Sequence, residues 1–290
     1  MADSEPMKLS VIIPAKNEAA SIGPVVEQIR TGYPEAEILV IDDGSTDATA
    51  ETAKTAGATV VSHPASLGNG AAIKTGARKA SGEILVMLDA DGQHDPADIP
   101  RLLEKLYEGY DMAIGARSAG SHANAARLAA NGIYNVFASL ITGHTIPDLT
   151  SGFRAVKAKL FRNFIYLLPN GFSYPTTITM AFMRAGYPVE FVQIKAQKRE
   201  GKSHIRPIRD GIRFLIIIFK VATLYAPLKI FFPMSAVFFS IGIAYYAYTY
   251  STMGRFTNMS MLLFSAAVII FLIGLISEQI TALNYKQPSD

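Results

Sequence analysis

The sequence predicts an α/β domain with a mainly parallel sheet, followed by a membrane anchor of two helices. Three observations lead to this prediction. Short apolar segments alternate with helix-like segments over the first two thirds of the chain, as in sheets whose strands are joined by crossover helices. Only 18% of the 290 residues are charged, whereas soluble domains carry about 25%. The mean hydropathy is +0.23, and nearly all of the apolar excess lies beyond Phe214.

Six short apolar segments are predicted to be strands: 9–14, 37–41, 58–61, 83–88, 112–115 and 188–194. Helices are predicted at 22–29, 47–56, 71–80 and 125–140. The segment 83–88 is followed by acidic residues and is continuously apolar, which indicates a strand buried on both faces. Because ligands of such sheets bind beyond the carboxyl ends of the strands, the polar residues that follow each strand are candidate site residues.

Residues 231–250 and 259–277 contain no charge, and each segment is close to the roughly 20 residues needed to span a bilayer. The connection between them contains one charged residue, Arg255. Five cations precede the first span: Arg206, Arg209, Arg213, Lys220 and Lys229. This asymmetry predicts an integral membrane protein with its catalytic domain in the cytoplasm. The predicted organisation is a catalytic domain at 1–204, amphipathic juxtamembrane helices in the interface at 205–229, a transmembrane hairpin at 230–284 and a cytoplasmic tail at 285–290.

Composition excludes several classes of site. The chain has no cysteine, which excludes disulfides, cysteine-ligated zinc, iron–sulfur clusters and thiol nucleophiles. Its net charge is only +3, and no basic stripe interleaved with aromatic residues is present, so no nucleic-acid partner is expected. The first ten residues contain no apolar core of a signal peptide, so the domain is expected to stay in the cytosol.

Two carboxylates and an amide follow the apolar segment 83–88. Asp89, Asp91 and Gln93 supply oxygen ligands of the kind that Mg²⁺ and Mn²⁺ prefer, and such cations commonly bridge carboxylates to substrate phosphates. A turn that caps the next helix is the structural alternative, since Asp and Gly also favour turns. The position at a strand end favours a cation site that binds a diphosphate.

Two more polar clusters follow strands at the same predicted edge. They are Pro14-Ala15-Lys16-Asn17-Glu18 and Asp42-Asp43-Gly44-Ser45. Together with the acidic cluster they outline a nucleotide cleft. Gly68-Asn69-Gly70 and Lys74 match neither common phosphate-binding fingerprint, so these glycines are predicted to permit a tight loop and a close backbone approach beside the cleft.

The ordered motifs resemble those of inverting glycosyltransferases with the Rossmann-like GT-A fold. Besides the three clusters, the resemblance includes Gly115-Ala116-Arg117, the segment Asp148-Leu149-Thr150-Ser151-Gly152-Phe153-Arg154, and Gly201-Lys202-Ser203. The similarity is to the polyprenyl-phosphate (dolichyl-phosphate) mannosyl- and glucosyltransferases, and it extends to the membrane anchor. It implies transfer of a hexosyl unit from a GDP- or UDP-sugar to a polyprenyl phosphate at the cytoplasmic membrane face, with Mg²⁺ or Mn²⁺ as cofactor.

The resemblance also implies roles for individual residues. The nucleotide-sugar pocket would be formed by Pro14, Lys16, Glu18, Ile41, Asp43, Asp89, Ala90, Asp91 and Lys198. Asp89, Asp91 and Gln93 would hold the metal, while Arg117, Arg127 and Asn131 would face the acceptor phosphate. Asp91, Arg117 and Asp148 are the predicted catalytic residues. The family's basic loop reads R-x-x-G-x-S-K, and here Lys198 and His204 replace its first and last residues.

The acceptor's own chemistry limits what the enzyme must supply. A phosphate monoester has a second pKa near ~6, so it is already largely an anionic nucleophile at cytosolic pH and needs no strong general base. Asp148 is therefore expected to orient the sugar, to act as an auxiliary base or to fix its loop.

Two other functions remain open: transfer to another membrane acceptor without processivity, and a catalytically silent subunit that binds lipid phosphate. A processive polysaccharide synthase is disfavoured because the chain has no tryptophan for a Q-x-x-R-W segment. Homo-oligomerisation is also left open.

Overall fold

The computed structural model describes residues 7–117, 142–171, 173–194 and 225–284, together with positions 132, 135, 136, 139, 219 and 223. The chain divides into two compact units, Met1–Ile205 and Arg206–Asp290. Positions 132, 135, 136 and 139 of the helix predicted at 125–140 are helical, and most of that helix lies outside the described residues. So does most of the predicted juxtamembrane segment 205–229.

The first unit contains a sheet of seven described strands. They are β1 (Leu9–Ala15), β2 (Glu37–Asp42), β3 (Thr59–Ser62), β4 (Ile84–Met87), β5 (Met112–Arg117), β6 (Arg154–Lys157) and β7 (Val189–Ile194), in the order β3-β2-β1-β4-β6-β5-β7. Strand β6 is antiparallel to both of its neighbours, and the other described pairings are parallel. The predicted α/β domain with a mainly parallel sheet is confirmed.

The first unit contains six α-helices whose bounds the structure describes. They are α1 (Ile22–Gly32), α2 (Thr49–Thr55), α3 (Asn69–Lys79), α4 (Ile99–Tyr107), α5 (Ala158–Asn163) and α6 (Tyr174–Arg184). Helix α1 buries Ile22, Val25, Val26 and Ile29, which is the spacing of one helical face. These side chains join β1, β2 and β4 in the hydrophobic core. Because β1 pairs in parallel with both β2 and β4, the carboxyl ends of these three strands open at one edge of the sheet.

Strand β6 was not predicted from the sequence, because Arg154 and Lys157 interrupt the apolar pattern expected of a central strand. Helix α6 was not predicted either. It starts with Tyr174-Pro175 and contains three threonines, and β-branched residues favour strands. Nine of its eleven residues are buried, so tertiary packing outweighs the local preference. Strand β6 separates β4 from β5 and thereby sets the spacing of the site.

The second unit contains two long apolar helices, α7 (Leu228–Met253) and α8 (Asn258–Asn284). Both are long and apolar enough to cross a membrane, with mean hydropathies of 1.7 and 2.7 over their most apolar windows. Large hydrophobic side chains such as Phe239, Ile243, Leu262 and Ile269 are exposed on them. Ser235 Oγ donates to the Ala267 carbonyl oxygen at 2.8 Å, which joins the two helices. The predicted two-helix hairpin is confirmed.

Candidate active site

The loops that follow β1 and β2 are joined by hydrogen bonds. Asn17, which has a positive φ of 55°, donates from its backbone N–H to Ser45 Oγ at 2.9 Å and accepts from the Thr46 N–H at 2.8 Å. The Glu18 N–H donates to Thr49 Oγ1 at 2.8 Å. These contacts turn two separate strand ends into one continuous wall of the cleft.

The predicted nucleotide residues on this wall differ in exposure. Pro14 and Ile41 are register partners on adjacent strands, so the structure brings these two positions together. The Lys16 side chain is exposed and Glu18 is half-buried. Ile41 is fully buried and faces helix α3, where a side chain at Gly76 would contact it. Pro14 is half-buried like Glu18, so Ile41 is the member of this group that is not accessible at the open edge.

Asp43 is buried and its carboxylate anchors the loop that follows β3. Oδ1 accepts from His63 Nδ1 at 2.8 Å and from the Leu67 N–H at 2.8 Å, and Oδ2 accepts from Ser66 Oγ at 2.7 Å and from the Gly68 N–H at 2.9 Å. Burial alone would raise the pKa of Asp43, but these four hydrogen bonds lower it to about 2. The carboxylate predicted to contact the nucleotide thus also shapes the wall of the cleft.

The acidic cluster follows β4, as predicted. The Asp89 side chain is 36% exposed, Ala90 is buried, and Asp91 Oδ1 accepts from the Gln93 N–H at 3.2 Å. The buried His94 lies beneath them, and its Nδ1 accepts from the Asp89 N–H at 3.3 Å. Burial lowers the pKa of His94 although Asp89 and Asp91 act to raise it. A neutral imidazole therefore supports the backbone of the cluster.

Asp89 and Asp91 fit a hard divalent cation. Both carry carboxylate oxygens and lie on one short loop. The space beside the Asp89 carboxylate is open because residue 152 is a glycine: a Cβ there would lie 3.1 Å from Oδ2. Among the described residues, no group of three or more His, Cys, Asp or Glu side chains is arranged around one point. The residues present therefore suit a cation whose remaining ligands are water and donor phosphate oxygens.

Arg117 and Asp148, predicted separately as catalytic residues, form a two-point ion pair. Arg117 Nε donates to Asp148 Oδ2 at 2.7 Å, and Nη2 donates to Asp148 Oδ1 at 3.1 Å and to Thr150 Oγ1 at 2.7 Å. Burial opposes the charge on both groups. The pairing outweighs burial, so it raises the pKa of Arg117 and lowers the pKa of Asp148. Both side chains are charged, and Nη1 is the guanidinium nitrogen outside this pair.

The segment that leads into β6 lies directly against the acidic cluster. Gly152 approaches the Asp89 carboxylate, and the Phe153 ring stacks on His94 with centroids 5.2 Å apart. Arg154 is fully buried behind them. No role was predicted for these three residues individually. The sequence signal that could have drawn attention to them is an arginine among the apolar residues Phe153, Ala155 and Val156.

The predicted close approach at the glycines beside the cleft is confirmed. A Cβ on Gly70 would lie 2.1 Å from the Pro169 carbonyl oxygen, and one on Gly68 would lie 2.5 Å from the Asn170 carbonyl oxygen. Lys74 Nζ donates to the Leu168 carbonyl oxygen at 3.1 Å and to Asn170 Oδ1. Lys74 thus holds a neighbouring loop in place. Arg127, Asn131, Lys198 and His204 lie outside the described residues.

Two families match the chain. Residues 10–165 match the family described as Glycosyl transferase family 2, and residues 226–283 match the family described as GtrB C-terminal hairpin. The first match contains the acidic cluster and the ion pair, and the second coincides with the two apolar helices.

Several curated proteins and solved structures are similar. Glycosyltransferase AglJ of Haloferax volcanii is 31% identical over 97% of this chain and 96% of its own length. Undecaprenyl-phosphate mannosyltransferase of Micrococcus luteus is 30% identical over 67% of this chain and 85% of its own length. A third relative, undecaprenyl-phosphate 4-deoxy-4-formamido-L-arabinose transferase of Salmonella paratyphi B, is 34% identical, and the alignment spans 54% of this chain and about half (51%) of that relative.

A solved structure shows the same fold. Glucosyl-3-phosphoglycerate synthase of Mycobacterium tuberculosis, in complex with Mn²⁺, UDP and phosphoglyceric acid, superposes with a TM-score of 0.60 over 74% of this chain and 78% of its own, at 23% identity. The predicted GT-A fold and the predicted resemblance to polyprenyl-phosphate transferases are both confirmed. By the match over residues 10–165 and by the relative aligned along nearly its whole length, this chain belongs to glycosyl transferase family 2.

Proposed function

We propose that this glycosyltransferase moves a hexosyl unit, mannose or glucose, from a GDP- or UDP-sugar to a polyprenyl phosphate with inversion at the anomeric carbon. The reaction takes place at the cytoplasmic membrane face and requires Mg²⁺ or Mn²⁺. The catalytic domain comprises residues 1–204, and residues 205–229 lie on the membrane surface before the hairpin.

One observation carries the proposal. The acidic cluster after β4 and the Arg117–Asp148 pair lie at the same edge of the sheet, because β6 is antiparallel to both β4 and β5, so these two strands run in the same direction. Asp89 and Asp91 are close enough to act on the charge of Arg117. A cation-binding group for a donor diphosphate and a guanidinium suited to an acceptor phosphate are therefore neighbours.

On the donor side, Asp89, Asp91 and Gln93 would hold the metal, which neutralises charge on the departing diphosphate when bound. Lys16 and Glu18 are accessible at the wall of the cleft and would contact the nucleotide. Asp43 accepts hydrogen bonds from the loop at 63–68 and so fixes the conformation of that loop beside them. Lys198, from the loop whose basic pattern is altered, is proposed to add positive charge next to the donor phosphates.

On the acceptor side, Arg117 would bind the lipid phosphate through its guanidinium, and Asp148 holds that guanidinium in one orientation. The phosphate is an anionic nucleophile at cytosolic pH, so the protein's task is to align it for attack opposite the leaving group. Attack from that side inverts the anomeric centre. Arg127 and Asn131 are proposed to complete the acceptor site.

Support for a polyprenyl phosphate comes from two sources. Two of the relatives are undecaprenyl-phosphate sugar transferases by name, and the C-terminal hairpin carries exposed apolar side chains suited to a bilayer. A different membrane acceptor is the second candidate. A silent subunit that binds lipid phosphate is the third, and the intact acidic cluster disfavours it.

The test is a product assay on the full-length protein in detergent. Polyprenyl phosphate or the unphosphorylated polyprenol is incubated with Mn²⁺ and either UDP-glucose or GDP-mannose, and the lipids are analysed by mass spectrometry. We expect a hexosyl-phosphoryl lipid from one donor with polyprenyl phosphate and no product with the alcohol. Product from the alcohol would contradict the acceptor. Bound lipid phosphate without turnover of any nucleotide sugar would favour the silent subunit.

A further inference from the structure

Arg154 is a cation enclosed at the centre of the sheet. Its side chain has no exposed surface, and its backbone pairs with Met87 of β4 and Ile114 of β5. Because strand side chains alternate between faces, Arg154 points away from the core cluster that contains Phe153 and Ala155. It lies on the face covered by helix α6.

The guanidinium is held mainly by backbone oxygens. Nη2 donates to the Ser151 carbonyl oxygen, and Nη1 donates to the Pro175 carbonyl oxygen at 3.2 Å and to Thr179 Oγ1 at 3.3 Å. Its central carbon lies 5.7 Å from the centre of the Tyr174 ring. Nε has no partner among the residues that the structure describes.

A charge in this position is costly for folding. Moving an ion out of water is unfavourable, and an apolar residue of similar volume is often as stabilising as a buried ion pair. Burial lowers the pKa of Arg154, and the groups that act to raise it are Tyr174, Asp148 and Asp89. Asp148 and Asp89 are acidic residues of the site, and Tyr174 is a buried neighbour whose ring faces the guanidinium.

Arg154 holds the segment Ser151–Gly152, which contacts the Asp89 carboxylate. Its bond to the Ser151 carbonyl sets the position of Gly152, where an added Cβ would lie 3.1 and 3.2 Å from the two Asp89 carboxylate oxygens. The following residue, Phe153, stacks on His94, which accepts from the Asp89 N–H. The Asp89 carboxylate thus lies against Gly152, two residues before the arginine, and its backbone N–H bonds to His94, which stacks on the residue next to the arginine.

We propose that Arg154 is a positioning residue that keeps the Asp89 carboxylate in its metal-binding orientation by anchoring Ser151–Gly152. The inference rests on the proposed function, because it assumes that Asp89 is a metal ligand. Arg154 does not touch substrate or metal. It acts through the segment in front of it, and a lysine keeps the charge but loses the planar fork that reaches two separate carbonyls.

The test compares Arg154→Lys with Arg162→Lys in the full-length protein in detergent. Arg162 is a matched control, because its guanidinium also binds two backbone carbonyls, those of Ala77 and Ala80, away from the acidic cluster. Mn²⁺ binding in the presence of UDP is measured by the electron paramagnetic resonance signal of the free ion, alongside thermal unfolding and the KM for polyprenyl phosphate.

We expect Arg154→Lys to raise the Mn²⁺ dissociation constant by roughly 10- to 100-fold, as substitutions of groups that orient metal ligands do, with an unchanged KM for the lipid. Arg162→Lys should lower the unfolding temperature without changing Mn²⁺ affinity. If Arg154→Lys does not fold, Gly152→Ala replaces it, because the added methyl must displace the Asp89 carboxylate and should weaken Mn²⁺ binding similarly.

Three results would overturn the inference. They are an unchanged Mn²⁺ dissociation constant in a folded Arg154→Lys protein, an unchanged one in Gly152→Ala, and an equal shift in Arg162→Lys, which would indicate general loosening. Absence of Mn²⁺ binding in the wild-type protein would instead contradict the metal requirement of the proposed function and, with it, the premise of the inference.

Discussion

At the scale of single residues, the site depends on how charges are paired. Arg117 and Asp148 are each buried enough to lose most of their hydration, and each is kept charged by the other. A carboxylate used in this way is a poor base, because its pKa is lowered and both of its oxygens already accept hydrogen bonds. In the proposed mechanism Asp148 therefore orients the arginine, and the lipid phosphate would react as the anion it already is.

Replacing Asp148 by Asn tests this assignment. We expect kcat/KM for polyprenyl phosphate to fall by roughly 10- to 100-fold, because a misplaced positioning group costs about that much, while the KM for the donor changes little. The shape of the pH–rate profile between pH 6 and 8 should be unchanged. Loss of a limb of that profile in the variant would show that Asp148 acts as a base.

Asp43 makes stability depend on pH. Its pKa is about 2 in the folded protein and 3.8 ordinarily, so the unfolded chain binds more protons between these values. The stabilisation is complete above the ordinary pKa and is lost as pH falls through the folded value. We expect Asp43→Asn to lower the free energy of unfolding by about 2 kcal/mol at neutral pH.

The pH dependence of this loss can be measured by denaturant unfolding of both proteins in detergent. The difference between wild type and Asp43→Asn should shrink as the pH falls from about 4 towards 2. A difference that stays constant over this interval would mean that the four hydrogen bonds to Asp43 do not depend on its charge.

At the scale of secondary-structure elements, helix α3 is fixed by a backbone contact that only glycine permits. Gly70→Ala would place a methyl group 2.1 Å from the Pro169 carbonyl oxygen, so we expect destabilisation of about 2 kcal/mol or more. Gly32→Ala in α1 is the matched control, because nothing lies within 4 Å of its Cβ position. Thermal unfolding of both variants measures the difference, and equal unfolding temperatures would contradict the contact.

At the same scale, some elements carry a local sequence signal and others do not. The parallel strands and the acidic cluster were predictable, because a continuously apolar segment followed by Asp89 and Asp91 is a local signal. Strand β6 was not predictable, because Arg154 stands where a central strand should be apolar. The Arg117–Asp148 pair joins residues 31 positions apart. Its formation depends on β6 lying beside β5, so no local pattern contains it.

At the scale of the whole molecule, the proposed function places the catalytic domain in the cytoplasm and the turn between α7 and α8 on the opposite side of the membrane. The chain contains no cysteine, so single cysteines report topology directly. Lys54→Cys lies on an exposed position of α2, and Arg255→Cys lies in the turn between α7 and α8. We expect an impermeant maleimide to label Arg255→Cys in intact cells and Lys54→Cys only after permeabilisation. The opposite pattern would contradict the cytoplasmic orientation.

The central claim is that Asp89 and Asp91 support metal-dependent transfer to a lipid phosphate. The most direct measurement compares wild type with Asp91→Asn in the mass-spectrometric product assay, with Mn²⁺ or with excess chelator. The account predicts a hexosyl-phosphoryl polyprenol only from the wild type with Mn²⁺, and no detectable product from the variant or from the chelated enzyme. Undiminished product from Asp91→Asn, or from wild type in chelator, would contradict it.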